Sequence, residues 1–305
     1  ALLVLGVIAA NIENPSKWKV TVVEENGVVR VTWPVSESET GTVVFSMDES
    51  QPLIQSMAVG EKTIATGLNP STVLTVGSRN MDDAAGWVAF FDNPPKREYT
   101  RHAVKLGKRS LKVAEKGAHT TVSVAAASAG NFNGEVRFTF YRNSGLMQAE
   151  TVLSTEEDGR AIVYDTGLTS PKPDWKNTVW KDTNGNVRSV PLNAEAAATP
   201  LEVEGRTIVA EGRNGASLAV FPAPHRYFYP LDEAFNLKFV WHGKNYVDLL
   251  PDSGLGIRQE LTGDNRFVPW FNAPPRTKQQ LGVFFYLTSG DGKAALDSVA
   301  KYTRG

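Results

Sequence analysis

The sequence predicts an all-β protein, a large antiparallel β-sandwich followed by one short C-terminal helix. Two observations carry that expectation. Apolar and polar residues alternate through many short segments rich in Val, Thr and aromatic side chains, the period-two pattern of half-buried strands. Gly, Pro, Asn and Asp punctuate nearly every gap between those segments, which leaves little room for helices. A chain of 305 residues can bury one large core or two modest ones.

Ala1–Ala10 reads ALLVLGVIAA, uncharged and too short to span a bilayer. It matches the apolar core of a secretory signal peptide, with Ile8-Ala9-Ala10 as the small-residue cleavage region; an N-terminal apolar strand is the other reading. Residues 1–11 are assigned to this segment. The expected compartment is secreted or periplasmic, with no membrane attachment after processing.

The strands follow. Trp18–Val23 and Val28–Trp33 alternate, and the Asn26-Gly27 pair between them is a hairpin turn signal. Thr42–Ser46, Ser71–Gly77, Trp87–Phe91, Ser110–Val113, Thr120–Ala125, Glu135–Tyr141 and Ala149–Ser154 continue the pattern. Ala161–Thr166, Thr207–Glu211, Ser217–Phe221, Leu237–Trp241, Gly254–Gln259 and Gly282–Thr288 complete it. Residues 12–290 are expected to form the sandwich, with 12–50 either a small separate sheet or its opening strands. Pro171–Pro200 reads as a long excursion from the sandwich, Ala194–Ala198 as loop or one helical turn, and Asp291-Gly292 as a plain turn. Lys293–Tyr302 fits an amphipathic helix with Ala295, Leu296, Val299 and Tyr302 on one side.

Composition narrows the function. Lys plus Arg is 32 and Asp plus Glu 33, for a net charge of −1, so nothing points to nucleic acid. The absence of cysteine removes disulfides, thiol nucleophiles and Fe–S sites. The four histidines form no metal-ligand pair, and phosphate-loop and nucleophile-elbow motifs are missing. Asp182–Asn186 (DTNGN) starts like a Ca²⁺ loop, but Val187 and Asn193 stand where the turn glycine and the bidentate glutamate belong; it reads as a polar turn. No cofactor and no metal are expected.

Glu135–Glu150 reads EVRFTFYRNSGLMQAE. A strand ending in Phe-Tyr-Arg, a short turn and an apolar strand carrying Glu resemble the paired strands of galactose-mutarotase-like supersandwich domains. Such domains occur in many carbohydrate-active enzymes, often outside the catalytic part. The stretches TVVFSMDESQPLIQS, GWVAFFDNPP, FPAPHRYFYPLD, DNRFVPWFNAPP and GDGKAALDSVAKYTRG are similar to the N-terminal region of secreted bacterial proteins that carry a downstream PHP-type metal-dependent phosphoesterase-like domain. The resemblance implies a supersandwich and architecture more than activity. The PHP metal-binding motifs have no counterpart here, so it implies that residues 291–305 lead to a catalytic domain outside this chain.

Nearly half of the aromatic residues, 14 of 29, fall between Phe221 and Tyr286. Saccharides offer C–H faces to aromatic rings and hydroxyls to planar polar groups, so a glycan surface needs both. His225, Arg226, Tyr227, Tyr229, Trp241, His242, Tyr246, Arg266 and Trp270 supply that mixture, on segments where Pro or Gly predicts loops. The competing reading is that these rings fill the core. For acid–base chemistry, His225, His242, Tyr227, Arg258 and Glu260 offer the residue types, and Glu150 and Asp165 lie on predicted strands, without a defined geometry.

The expected function is a secreted carbohydrate-interacting sandwich, accessory to a hydrolase domain outside this chain. Two alternatives stand beside it: a polysaccharide lyase or sugar epimerase, and a structural subunit of an extracellular filament built through the apolar N-terminus. Expected partners are a glycan together with either a downstream catalytic domain or further copies of the chain.

Overall fold

The computed structural model describes residues 19–79, 97–223, 238–259, 261, 268 and 270–303. Across the described residues the chain forms two antiparallel sheets packed face to face and one C-terminal helix. The layered all-β architecture expected from the alternation is the one observed.

Strands β1 (Thr21–Glu25) and β2 (Val28–Pro34) form a hairpin. Asn26 and Gly27 between them have φ of 51° and 75°, the left-handed pair that a two-residue turn matching strand twist requires. The chain meanders on through β3 (Thr40–Ser46), β4 (Ile54–Val59) and β5 (Lys62–Ser78). The long β5 serves two neighbourhoods. Its stretch Lys62–Leu68 pairs with β4, and Asn69–Ser78 pairs with β11 (Arg160–Ser170). The opening meander is thereby continuous with the first sheet.

β6 (Tyr99–Ala103) adds to β5 on the side away from β11. A second meander, β7 (Lys105–Lys116), β8 (His119–Ala129), β9 (Phe132–Tyr141) and β10 (Leu146–Ser154), belongs to the other sheet. After β11 the chain alternates between layers. β12 (Asn177–Lys181), β13 (Val187–Pro191), β15 (Ile208–Glu211), β16 (Ser217–Pro222) and β20 (Gln279–Thr288) join the second sheet. β14 (Thr199–Leu201), β17 (Val240–Gly243), β18 (Ser253–Ile257) and β19 (Phe271–Asn272) join the first. The segment read as an excursion thus contains the β12–β13 hairpin. Its turn is tied by Asp182, whose Oδ1 accepts the amides of Asn184 (3.0 Å) and Asn186 (2.9 Å).

The core lies between the sheets. Period-two alternation turns Val29, Val31 and Trp33 of β2 and Val136, Phe138 and Phe140 of β9 inward. Trp33 meets Phe140 and Phe45 meets Phe138, each with ring centroids 4.9 Å apart. Polar links also cross the layers. Tyr164 donates to the Gly282 carbonyl (2.9 Å) and Thr72 hydrogen bonds Thr151 (3.0 Å), while within the first sheet Thr72 also meets Thr166 (2.9 Å). Such buried hydroxyls are tolerated because they satisfy one another.

Helix α1 (Gly292–Thr303) lies on the outer face of the second sheet. Ala295 and Val299 are buried against Val179, Val209, Ala219, Phe221 and Phe284, with Leu296 and Tyr302 beside them, the face expected from the sequence. Asp291 is more than a turn residue: its Oδ1 accepts the Ala294 amide (2.9 Å), and Glu211 Oε2 accepts that of Gly292 (2.9 Å). Together they cap the amide end of the helix.

Candidate functional site

In β11, Ile162, Tyr164, Thr166 and Leu168 face the second sheet, so Val163 and Asp165 face away from it. Register places Asp165 opposite Val73, and Val73 opposite Ala103. One step along, Val163, Thr75 and Arg101 form the next row; beyond it lie Ala161, Gly77 and Tyr99. The outer face of the first sheet thus carries a line running from Asp165 through Arg101 to Tyr99.

Asp165 is buried there because the β17–β18 connection folds over it. Tyr246 and Trp241 stack at 4.1 Å with 13° between their planes, and they pack with Val73 and Leu250 into a small apolar cluster. The connection is tightly wound, with Asn245, Val247 and Asp248 all at positive φ. That conformation is unusual for a β-branched valine and persists only where surrounding contacts enforce it.

The Tyr246 hydroxyl donates to Asp165 Oδ2 (2.9 Å) and accepts from Arg258 Nε (3.1 Å). The Gln259 amide donates to Asp165 Oδ1 (2.8 Å), and the Arg258 guanidinium also reaches the Lys238 carbonyl (2.6 Å). Burial pushes the Asp165 carboxyl above its ordinary value; Arg258, the Gln259 amide, the Tyr246 hydroxyl and Arg101 oppose that rise. Burial and the neighbouring Asp165 hold the Tyr246 phenol well above its usual range. Both Asp165 oxygens are therefore engaged by the chain's own donors.

Next to this buried cluster the face opens. Trp270 is half-buried, with its ring centroid 6.2 Å from that of Tyr99. Arg97 lies 4.9 Å over the Trp270 ring, and Arg101 lies 5.4 Å over the Tyr99 ring. Gly77 makes room for this: a Cβ there would fall 2.7 Å from Arg97 Cδ. Two accessible rings interleaved with two guanidiniums give apolar faces for sugar C–H groups and donors for sugar oxygens.

The residues singled out by sequence divide accordingly. Trp270 belongs to the accessible part. Trp241, 0% exposed, and Tyr246, 2% exposed, are core of the β17–β18 cover and offer no free stacking face; for these two the competing core reading describes the placement. Arg258 positions Tyr246. His242 neighbours Trp241 in a strand and so projects to the opposite face, where its ring lies 5.7 Å from that of Trp180 on the second sheet. The structure does not bring His242 to Tyr246, Arg258 and Asp165. Glu150 lies on the outer face of the second sheet, so it and Asp165 point away from each other across the sandwich. They are not a pair at the separation that sugar hydrolysis requires. His225, Arg226, Tyr227, Tyr229, Glu260 and Arg266 lie outside the described residues.

Sequence reasoning missed Arg97, Tyr99 and Arg101. The signal was their spacing: every second residue of a strand shares a face.

No known protein-family profile matches the chain, and no curated protein does. Solved structures do match in shape. The GH36 α-galactosidase AgaB of Geobacillus stearothermophilus matches over 90% of this chain and 41% of its own, at 9% identity and a TM-score of 0.49. An α-mannosidase of Enterococcus faecalis matches over 92% of this chain and 30% of its own (8% identity, TM-score 0.39). A putative aldose 1-epimerase of Escherichia coli matches over 88% of this chain and 99% of its own (7% identity, TM-score 0.39). The chain spans about two fifths of the length of the α-galactosidases to which it is similar.

Proposed function

We propose that this chain is a carbohydrate-interacting sandwich domain of the galactose-mutarotase-like kind, and that the saccharide lies on the outer face of the first sheet across Trp270 and Tyr99. The observation that carries this reading is the pair of accessible rings flanked by Arg97 and Arg101. A pyranose stacks on such rings through its axial C–H face while its hydroxyls take hydrogen bonds from planar donors. Retention rather than turnover fits the adjoining carboxylate, because both oxygens of Asp165 are already engaged. An accessory role beside a hydrolase, outside the cytoplasm, fits a glycan-holding face preceded by the apolar run Ala1–Ala10.

A second reading, lyase or epimerase chemistry, draws on the Tyr246 hydroxyl held between Asp165 and Arg258. A glycan-array screen of the purified chain, with turnover assayed on every hit, separates the two. Retention lost in Trp270→Ala and Tyr99→Ala, without turnover in the parent, is the expected result. Retention unaltered in both variants refutes the placement, and turnover abolished by Tyr246→Phe replaces the binding reading with the enzymatic one.

A further inference from the structure

We infer that the saccharide held on this face is acidic, bearing carboxylate or sulfate groups that Arg97 and Arg101 receive. The inference rests on the glycan reading above and adds a charge to it.

Four guanidiniums elsewhere among the described residues are each matched by a nearby carboxylate. Arg137 meets Glu135 at 2.6 Å, Arg188 meets Asp182 at 2.7 Å, and Arg160 and Arg276 meet Glu157 and Glu156 at 2.8 Å. On the outer face of the first sheet, Arg97 and Arg101 lack such a direct ion pair among the described residues. Arg97 donates to the Ser78 carbonyl and lies over Trp270, and among the described residues no carboxylate pairs with it. Arg101 lies over Tyr99, and its Nε is buried without an acceptor. Asp165 feels the field of Arg101 but spends its hydrogen-bonding capacity on Tyr246 and Gln259. Partial burial of Arg97 disfavours its charged form.

Two cations lying on neighbouring rings, with no carboxylate hydrogen-bonded to either among the described residues, make up half of a recognition site. A guanidinium presents a rigid fork of donors that matches the two oxygens of a carboxylate or sulfate. The rings beside it take the flat face of the sugar carrying that group. A neutral saccharide would satisfy the rings and bring no anion into contact with either guanidinium.

The test uses matched polymers on the full chain: polygalacturonate against its carboxyl-reduced form, and dextran sulfate against dextran. Retardation in native affinity gels is measured for the parent, Arg97→Gln, Arg101→Gln and Arg30→Gln. Arg30 is exposed on β2, three strands along the first sheet from β5, against which β6 and Arg101 lie. The expected result is retardation by at least one acidic polymer and not by its neutral counterpart, with each of the first two variants weakened about tenfold or more and Arg30→Gln unchanged. Whichever acidic polymer retards the chain distinguishes a uronate from a sulfate ester. If Arg101→Gln fails to fold, Arg101→Lys keeps the charge and loses the fork; it is expected to bind several-fold more weakly. Equal retardation by neutral and acidic partners overturns the inference and leaves the carbohydrate reading standing, as does full parental binding by the arginine variants. Binding to no saccharide of a broad array, neutral or acidic, defeats the carbohydrate reading itself.

Discussion

Replacing Trp241 by alanine separates a structural ring from a ligand-binding one. The side chain is fully buried and stacked on Tyr246. It presses on β18 closely enough that a Cβ at Gly254 or Gly256 would fall 3.0 Å or 2.8 Å from its indole. Truncating such a ring removes its transfer free energy and leaves a cavity, at a cost of about 3–5 kcal/mol. One feature works the other way: the indole Nε1 is buried without an acceptor, and deleting an unsatisfied donor returns roughly 1 kcal/mol or more. The net expectation is a loss of about 2–4 kcal/mol, with Trp241→Phe costing about 1 kcal/mol because it removes that same donor and keeps most of the ring. Urea denaturation followed by circular dichroism measures both, with slopes compared so that a changed midpoint reads as changed stability. A Trp241→Ala variant within about 0.5 kcal/mol of the parent would refute the burial argument, since that is the range of an exposed substitution.

Trp270→Ala should behave in the opposite way, losing glycan retention while stability in the same urea assay stays within about 1 kcal/mol. Gly134→Ala should be among the most damaging small changes: its Cβ would sit 1.8 Å from the Val152 carbonyl, so β9 and β10 must separate, and a urea-midpoint loss worth about 2 kcal/mol or more is expected. Asp291→Ala removes the side-chain acceptor at the start of α1 and should cost about 1 kcal/mol, read by the same titration. Burial holds the His242 imidazole below its ordinary value. A depressed folded-state value gives stability that is present above the unfolded-state value, near 6.5, and lost as pH falls through the folded-state value. Thermal melts from pH 7.5 to 5 should therefore show the parent losing more stability than His242→Gln, and identical slopes would refute that assignment.

The architecture was legible because burial imposes a period of two, and strands facing a common core repeat it. Asn26-Gly27 also announced its hairpin through conformations that few other residue pairs adopt. The expected strand Ser71–Gly77 covers only the second half of β5, whose first half contains Gly67 and Pro70, residue types that ordinarily interrupt strands. Gly67 has a φ of 61° within the strand, flanked by pairing of Thr66 and Leu68 with β4, and pairing of Pro70 with β11 carries the chain on. The site was half legible. Trp270 and Asp165 stood out by type and position, but grouping Trp241 with His242 ignored the alternation that sends neighbours to opposite faces. The burial of Trp241 under the β17–β18 connection depends on the positive φ values at Asn245, Val247 and Asp248, which nothing local in the residue types announces. Arg97, Tyr99 and Arg101 could have been found by extending the same period-two reading to a polar stretch.

The most direct test of a glycan seated on the outer face of the first sheet is a chemical-shift titration of the tryptophan indoles with a saccharide that the chain retains. The account predicts that the Trp270 indole resonance moves with saturation while those of Trp33 and Trp175, buried between the layers, stay fixed. Saturation that leaves Trp270 unmoved, with shifts confined to the strands beneath α1 on the other sheet, would contradict it.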